Sequence, residues 1–165
     1  MLVYGPKDAE VTVFTYKEGL LSAIAHDLRI AARRFEIKVA EDRSRVEATV
    51  HADSLEVVCA MRDGIDTPRA LSDKDKRKIA SNIRKDVLRA SRYPEIVFRS
   101  ATIRPVDDGY DLEGDLTLHG RNKSLVVHVR EGDSAYRAEL TLHQPDFGIT
   151  PYRAMMGTLK VQADI

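Results

Sequence analysis

Five histidines (His26, His51, His119, His128 and His143), one cysteine (Cys59) and the dipeptide His26-Asp27 have side chains of the types used in acid–base, nucleophilic or metal chemistry. The histidines lie far apart, with no H-x-H or H-x-x-x-H spacing to write a metal pair along one strand or helix. A zinc site would have to be assembled from distant strands. His51, His119 and His143 fall on strand positions that read as outward, which predicts solvated side chains. His26 and Asp27 are neighbours on a strand, so they point to opposite faces and do not orient one another. Cys59 has no histidine near it in sequence and reads as core filler. The signatures G-x-S-x-G, G-x-x-x-x-G-K, G-x-G-x-x-G, C-x-x-C and H-E-x-x-H are absent. The expectation is a protein with no catalytic residues, no metal and no cofactor.

The elements that position these residues are mostly strands. Thr158 to Ile165, Asp111 to His119, Ala138 to Leu142 and Val46 to His51 alternate apolar and polar residues with a period of two. Weaker alternation covers Glu10 to Tyr16, Leu28 to Val39 (bent near Arg33-Arg34), Ile96 to Arg104 and Leu125 to Arg130. Short polar connections at Glu41–Ser44, Asp107–Gly109, Gly120–Asn122 and Glu131–Ser134 make sequential strands antiparallel neighbours. One segment differs. Ile79, Ile83, Val87 and Leu88 fall at helical spacing, and Ser72 followed by Asp75 writes an N-cap with an acid three positions on. The pattern predicts about eight antiparallel strands with one inserted α-helix, about residues 72–90. Clean alternation with few aromatics fits a closed barrel whose interior is filled or holds a ligand.

Length and charge set the remaining bounds. A chain of 165 residues with 43% hydrophobic and 32% charged residues reads as one soluble domain, residues 1–165. Its 26 basic and 26 acidic residues cancel, which argues against general nucleic-acid binding. The charge is uneven, however. Residues 72–92 hold eight cations (Lys74, Lys76, Arg77, Lys78, Arg84, Lys85, Arg89 and Arg92) against Asp73, Asp75 and Asp86. Such a helix face is either simply solvated or a basic cover that attracts anionic head groups or a membrane surface. The longest apolar stretch near the N-terminus, Leu20 to Ala25, is too short for a secretory leader or a membrane span, which predicts a cytoplasmic protein.

The segment Tyr93-Pro94-Glu95-Ile96-Val97-Phe98-Arg99-Ser100, followed by Gly114-Asp115-Leu116-Thr117-Leu118-His119-Gly120, resembles the paired "YP-x-I-x-F-x-S … GDLTLHG" motif of the YceI-like family. Ser22 to Leu28 around His26, Met61-Arg62-Asp63, and Asp146-Phe147-Gly148-Ile149 resemble further elements of it, so the likeness spans nearly the whole chain. Two departures mark a divergent branch. Family members are typically periplasmic, and the helical insert here is longer and highly charged.

The resemblance implies a lipocalin-like antiparallel barrel whose apolar tunnel holds an isoprenoid or similar amphiphilic lipid, without catalysis. The inward apolar sets then make Leu28, Phe98, Leu112, Leu116, Leu118, Leu140, Leu142 and Phe147 the candidate tunnel lining, with the polar head at a mouth near His26 and Arg62. The same residues equally describe a barrel packed with its own side chains. Two other readings stand beside this one: an interaction module whose basic helix docks to an acidic partner or membrane surface, and a small metal-dependent hydrolase built on His26 and Asp27. Edge strands of an incompletely closed barrel also allow a homodimer.

Overall fold

The computed structural model describes residues 1–18, 26–154, 159–160, 162 and 165. Thirteen strand segments occur among them, more than the eight of the sequence pattern, because several are only two to four residues long. They are β1 (Leu2–Tyr4), β2 (Thr12–Thr15), β3 (Asp27–Ala32), β4 (Phe35–Val39), β5 (Val46–His51), β6 (Leu55–Arg62), β7 (Ile65–Thr67), β8 (Glu95–Val106), β9 (Gly109–Leu118), β10 (Arg121–Glu131), β11 (Tyr136–Ala138), β12 (Arg153–Ala154) and β13 (Leu159–Lys160). A seven-stranded antiparallel sheet in the order β1-β4-β5-β8-β9-β10-β11 curls into half a barrel. A four-stranded sheet, β2-β3-β6-β7, accompanies it, and β12 pairs with β13. Half of the predicted strand over Thr158 to Ile165, positions 158, 161, 163 and 164, lies outside the described residues.

The bend expected at Arg33-Arg34 is where the chain crosses between the two sheets. Ser54 closes that corner. Its carbonyl accepts from the Arg33 amide at 3.1 Å, and its hydroxyl accepts from the Arg34 amide at 3.0 Å. Two β-bulges add curl, one between Arg29 and Ile30 and one between Ser100 and Thr102. At the second, Gly114 lies opposite Ser100, whose hydroxyl accepts from the Val46 amide at 2.8 Å. The YP…S and GDLTLHG motifs thus meet across β8 and β9.

Helix α1 (Asp73–Asn82) begins at Ser72, as the sequence predicts. The Ser72 hydroxyl accepts from the Asp75 amide at 3.1 Å, and the Asp75 carboxylate accepts from the Ser72 amide at 3.3 Å, a reciprocal cap. The same hydroxyl also donates to Asp75, holding that carboxyl below its ordinary range. Ser72→Ala is expected to cost about 1 kcal/mol in urea unfolding. Beyond Asn82 the helix widens into a π turn at Ile83–Val87, where the Leu88 amide bonds to the Ile83 carbonyl at 2.8 Å. The helical segment therefore ends slightly short of the predicted residue 90.

Strand β6 has no counterpart in the alternation pattern. Its run Val57-Val58-Cys59-Ala60 is apolar throughout, and such a run masks the period of two. At its end lies a tight hairpin: Asp63 (φ 51°) and Gly64 (φ 77°) supply the two positive φ values of a type I′ turn joining β6 to β7.

Candidate functional site

The apolar interior divides into two packed clusters. In the first, Leu28, Ile30 and Ala32 of β3 meet Leu55 and Val57 of β6, Phe35 of β4 and Ala80 of α1. In the second, Leu116 and Leu118 of β9 meet Phe147 and Ile149, with Ile96, Phe98, Leu125 and Leu142 half-buried around them. One side chain belongs to both: Leu88, just past the π turn, packs against each cluster. Ile79 and Ile83 pack against the first and Val87 against the second, so among the described residues one helical segment covers both clusters.

The candidate lining residues are brought together only in part. Leu28 lies in the first cluster; Phe98, Leu116, Leu118, Leu142 and Phe147 lie in the second. Leu112 is buried on β9, outside both. Leu140 corrects the sequence reading. Strand β11 ends at Ala138, so the alternation that put Leu140 inside does not hold, and its side chain is 42% exposed. His26 and Arg62 do share one end of the fold, because the register pairs Asp27 with Met61. Arg62 is exposed there and His26 half-buried.

Asp27 has a structural partner: its carboxylate accepts from the Lys17 amide at 2.8 Å, tying the start of β3 to the chain after β2. Among the described residues no group of three His, Cys, Asp or Glu is placed to hold a metal ion. Two concavities, of about 240 and 540 Å³, lie under the Pro6 segment and share Arg33 and Phe35. None of the candidate lining residues borders either. Charges in the larger one are largely neutralised within the protein, Arg99 by Glu47 at 2.9 Å and Lys38 by Glu36 at 2.7 Å.

His119 is a second correction. Instead of pointing into solvent, it leaves β9 with φ 53° and packs against Tyr93 with the rings tilted at 55°, centroids 4.6 Å apart. Its Nδ1 lies 3.2 Å from the Phe147 carbonyl, which requires a proton on Nδ1, and its Nε2 is buried without a hydrogen-bond partner among the described residues. Gly120, at φ 72°, completes this corner, since a Cβ there would come within 2.6 Å of the Tyr93 ring. The Tyr93, His119-Gly120 and Phe147-Gly148 motif residues therefore converge on one joint between β9, β10 and the Phe147 turn. The signal for it was the pair His119-Gly120 between two strand patterns, a two-residue turn requiring positive φ at both positions.

A polar cluster sits at the far end of β9 and β10. The His128 Nδ1 bonds to Asp111 at 2.7 Å and its Nε2 to Asp108 at 3.2 Å. Asp111, then Asp108, raise the His128 pKa above its ordinary value. A raised histidine pKa stabilises the fold fully below the unfolded value of about 6.5, and that contribution is lost as pH rises through the folded value. Thermal melts at low salt should therefore show the wild type losing more stability than His128→Gln between pH 6 and pH 8 (about the span of a histidine titration). Equal losses would mean that solvent screens the exposed cluster.

A family model described as YceI-like domain matches residues 6–165. A UPF0312 protein of Pectobacterium atrosepticum is 30% identical over 98 residues, 53% of this chain and 48% of that protein. Protein YceI of Escherichia coli O157:H7 is 30% identical over 95 residues, 52% of this chain and 47% of that protein. The matched region thus spans about half the length of these curated relatives. Among solved structures, BcnA of Burkholderia cenocepacia superposes with a TM-score of 0.62 at 18% identity, covering 93% of this chain and 89% of that one. A polyisoprenoid-binding domain from Saccharophagus degradans, implicated in plant cell wall breakdown, superposes with a TM-score of 0.57 at 9% identity, covering 94% and 87%. At these identities the structural likeness is one of fold.

Proposed function

The chain belongs to the YceI-like family, and from that premise we propose that it binds an isoprenoid or similar amphiphilic lipid between its sheets, without catalysing a reaction on it. The observation that supports this most directly is the sharing of Leu88. Two apolar clusters face the interior, and a single helical segment holds them shut. The fold neighbour that is a polyisoprenoid-binding domain supports the same reading. The lipid tail takes the place of contacts among Leu28, Phe98, Leu112, Leu116, Leu118, Leu142 and Phe147. The polar head lies at the end marked by His26 and Arg62.

Each buried methylene contributes about 0.8 kcal/mol, so a chain of several prenyl units supplies ample driving force to separate the clusters. Tail length is then read by shape, and discrimination between neighbouring lengths is modest. Native mass spectrometry of the purified protein mixed with farnesol and a longer polyprenol tests the reading. A one-to-one hydrophobic adduct released by organic solvent is the expected result. A clean protein mass with no uptake of either alcohol would sink it.

A further inference from the structure

We infer that the outer face of the helical segment docks on the surface of an anionic phospholipid bilayer. Between Ser72 and Arg92 this segment carries eight cations against three acids in a chain whose net charge is zero. Lys74, Arg77, Lys78, Lys85, Arg89 and Arg92 are all exposed. Among the described residues none of these six makes an ion pair within 4 Å; the segment's one pair is Lys76 with Asp73, at 3.9 Å. On the sheet surface, Arg33, Arg34, Arg99 and Arg104 each hold a carboxylate. Arg62, Arg121, Lys123 and Arg137 are exposed there without an ion pair among the described residues, but they are scattered over three strands rather than gathered on one element.

Geometry makes the segment two-faced. At about 100° per residue, Lys74, Arg77 and Lys78 fall on one side of α1, and Ile79, Ala80 and Ile83 fall on the opposite side, against the first cluster. At the other end of β8, which runs twelve residues and so spans about 40 Å, the acid Asp108 is already held by His128 and Arg130. The unpaired charge is therefore concentrated at the helical end, and an anionic surface attracts that end. The choice of a bilayer over an acidic protein or a nucleic acid rests on the lipid-binding reading: docking this face sets the segment that closes the interior against the reservoir of its proposed ligand.

The test is co-sedimentation with phosphatidylcholine vesicles, plain or containing phosphatidylglycerol at about 30 mol %, in low and high salt. The comparison protein carries Lys74→Glu, Arg77→Glu and Lys78→Glu. All three sites are exposed and make no ion pair among the described residues, so the variant is expected to fold despite the added like-charge pairs, which circular dichroism checks. The expected result is salt-sensitive binding of the wild type to phosphatidylglycerol vesicles alone, weakened about 100-fold or more in the variant. Equal binding by both proteins, or none by the wild type, overturns the inference. So does wild-type binding to a single-stranded oligonucleotide without binding to vesicles, which assigns the face to nucleic acid. Farnesol uptake in vesicle-free solution is scored separately. Uptake without vesicle binding overturns docking and leaves the lipid reading intact, whereas salt-sensitive docking without uptake supports docking and sinks the lipid reading.

Discussion

Gly114→Ala is expected to destabilise the protein by about 3 kcal/mol or more, a large effect for one methyl group. At an unhindered site the same change stabilises by about 0.4–1 kcal/mol, because alanine restricts the unfolded chain. Here a Cβ would lie 2.3 Å from the Arg99 carbonyl oxygen and 2.7 Å from the Ser100 Cα. Both obstacles are backbone, held in the β8–β9 ladder at a bulge, so no side chain can swing away. Relief would part the ladder where Ser100 also accepts from the Val46 amide, disturbing β5 as well. Gly5→Ala is the internal control, since its nearest obstacle is the Phe35 carbonyl at 3.8 Å. Urea unfolding should separate the two variants widely. Similar midpoints would mean that the bulge relaxes at little cost and that the glycine of the GDLTLHG motif is not there for close approach.

How much of this was legible in sequence depended on the range of the interaction concerned. The Ser72–Asp75 cap and the bend at Arg33-Arg34 are written within a few residues and were readable. Strand β6 was missed because Val57 to Ala60 is uniformly apolar, which masks the period of two. His119 and Leu140 were misplaced for one shared reason: alternation gives the face of a residue only while the strand continues. The strand ends at Leu118 before His119, and at Ala138 before Leu140. The role of Leu88 was beyond reach. Its helical stripe was visible, but its packing against two clusters, one built on β3, β6 and Ala80 and the other on β9 and the Phe147 turn, is a fact of tertiary structure alone. Charge on the same helix was fully visible, whereas the absence of ion pairs from its six exposed cations, among the described residues, emerged only from the structure.

Ile30→Ala is expected to show whether the interior is a fixed core or a space that a lipid can occupy. Ile30 is 2% exposed, at the centre of the first cluster, and truncating a buried isoleucine costs about 2–5 kcal/mol, because the removed methyls leave a cavity the neighbours fill only partly. For a domain of this size that is a fall in Tm on the order of 10 °C. Two interiors predict different responses to added farnesol. In a core with no route to solvent, the deficit stays the same with and without the alcohol. In an interior that opens to lipid, the apolar cavity becomes part of the binding space and the ligand recovers part of the loss, as dry apolar cavities accept apolar guests. Saturation to about 100 times the Kd stabilises a binding-competent fold by about 2.7 kcal/mol, comparable to the deficit itself. Melting both proteins across a farnesol titration therefore reads occupancy and packing together. A rise in Tm in both, larger for Ile30→Ala, places the tail beside β3 and β6. A rise in neither ends the case for a lipid there and leaves Leu28, Ile30 and Leu55 as a conventional core.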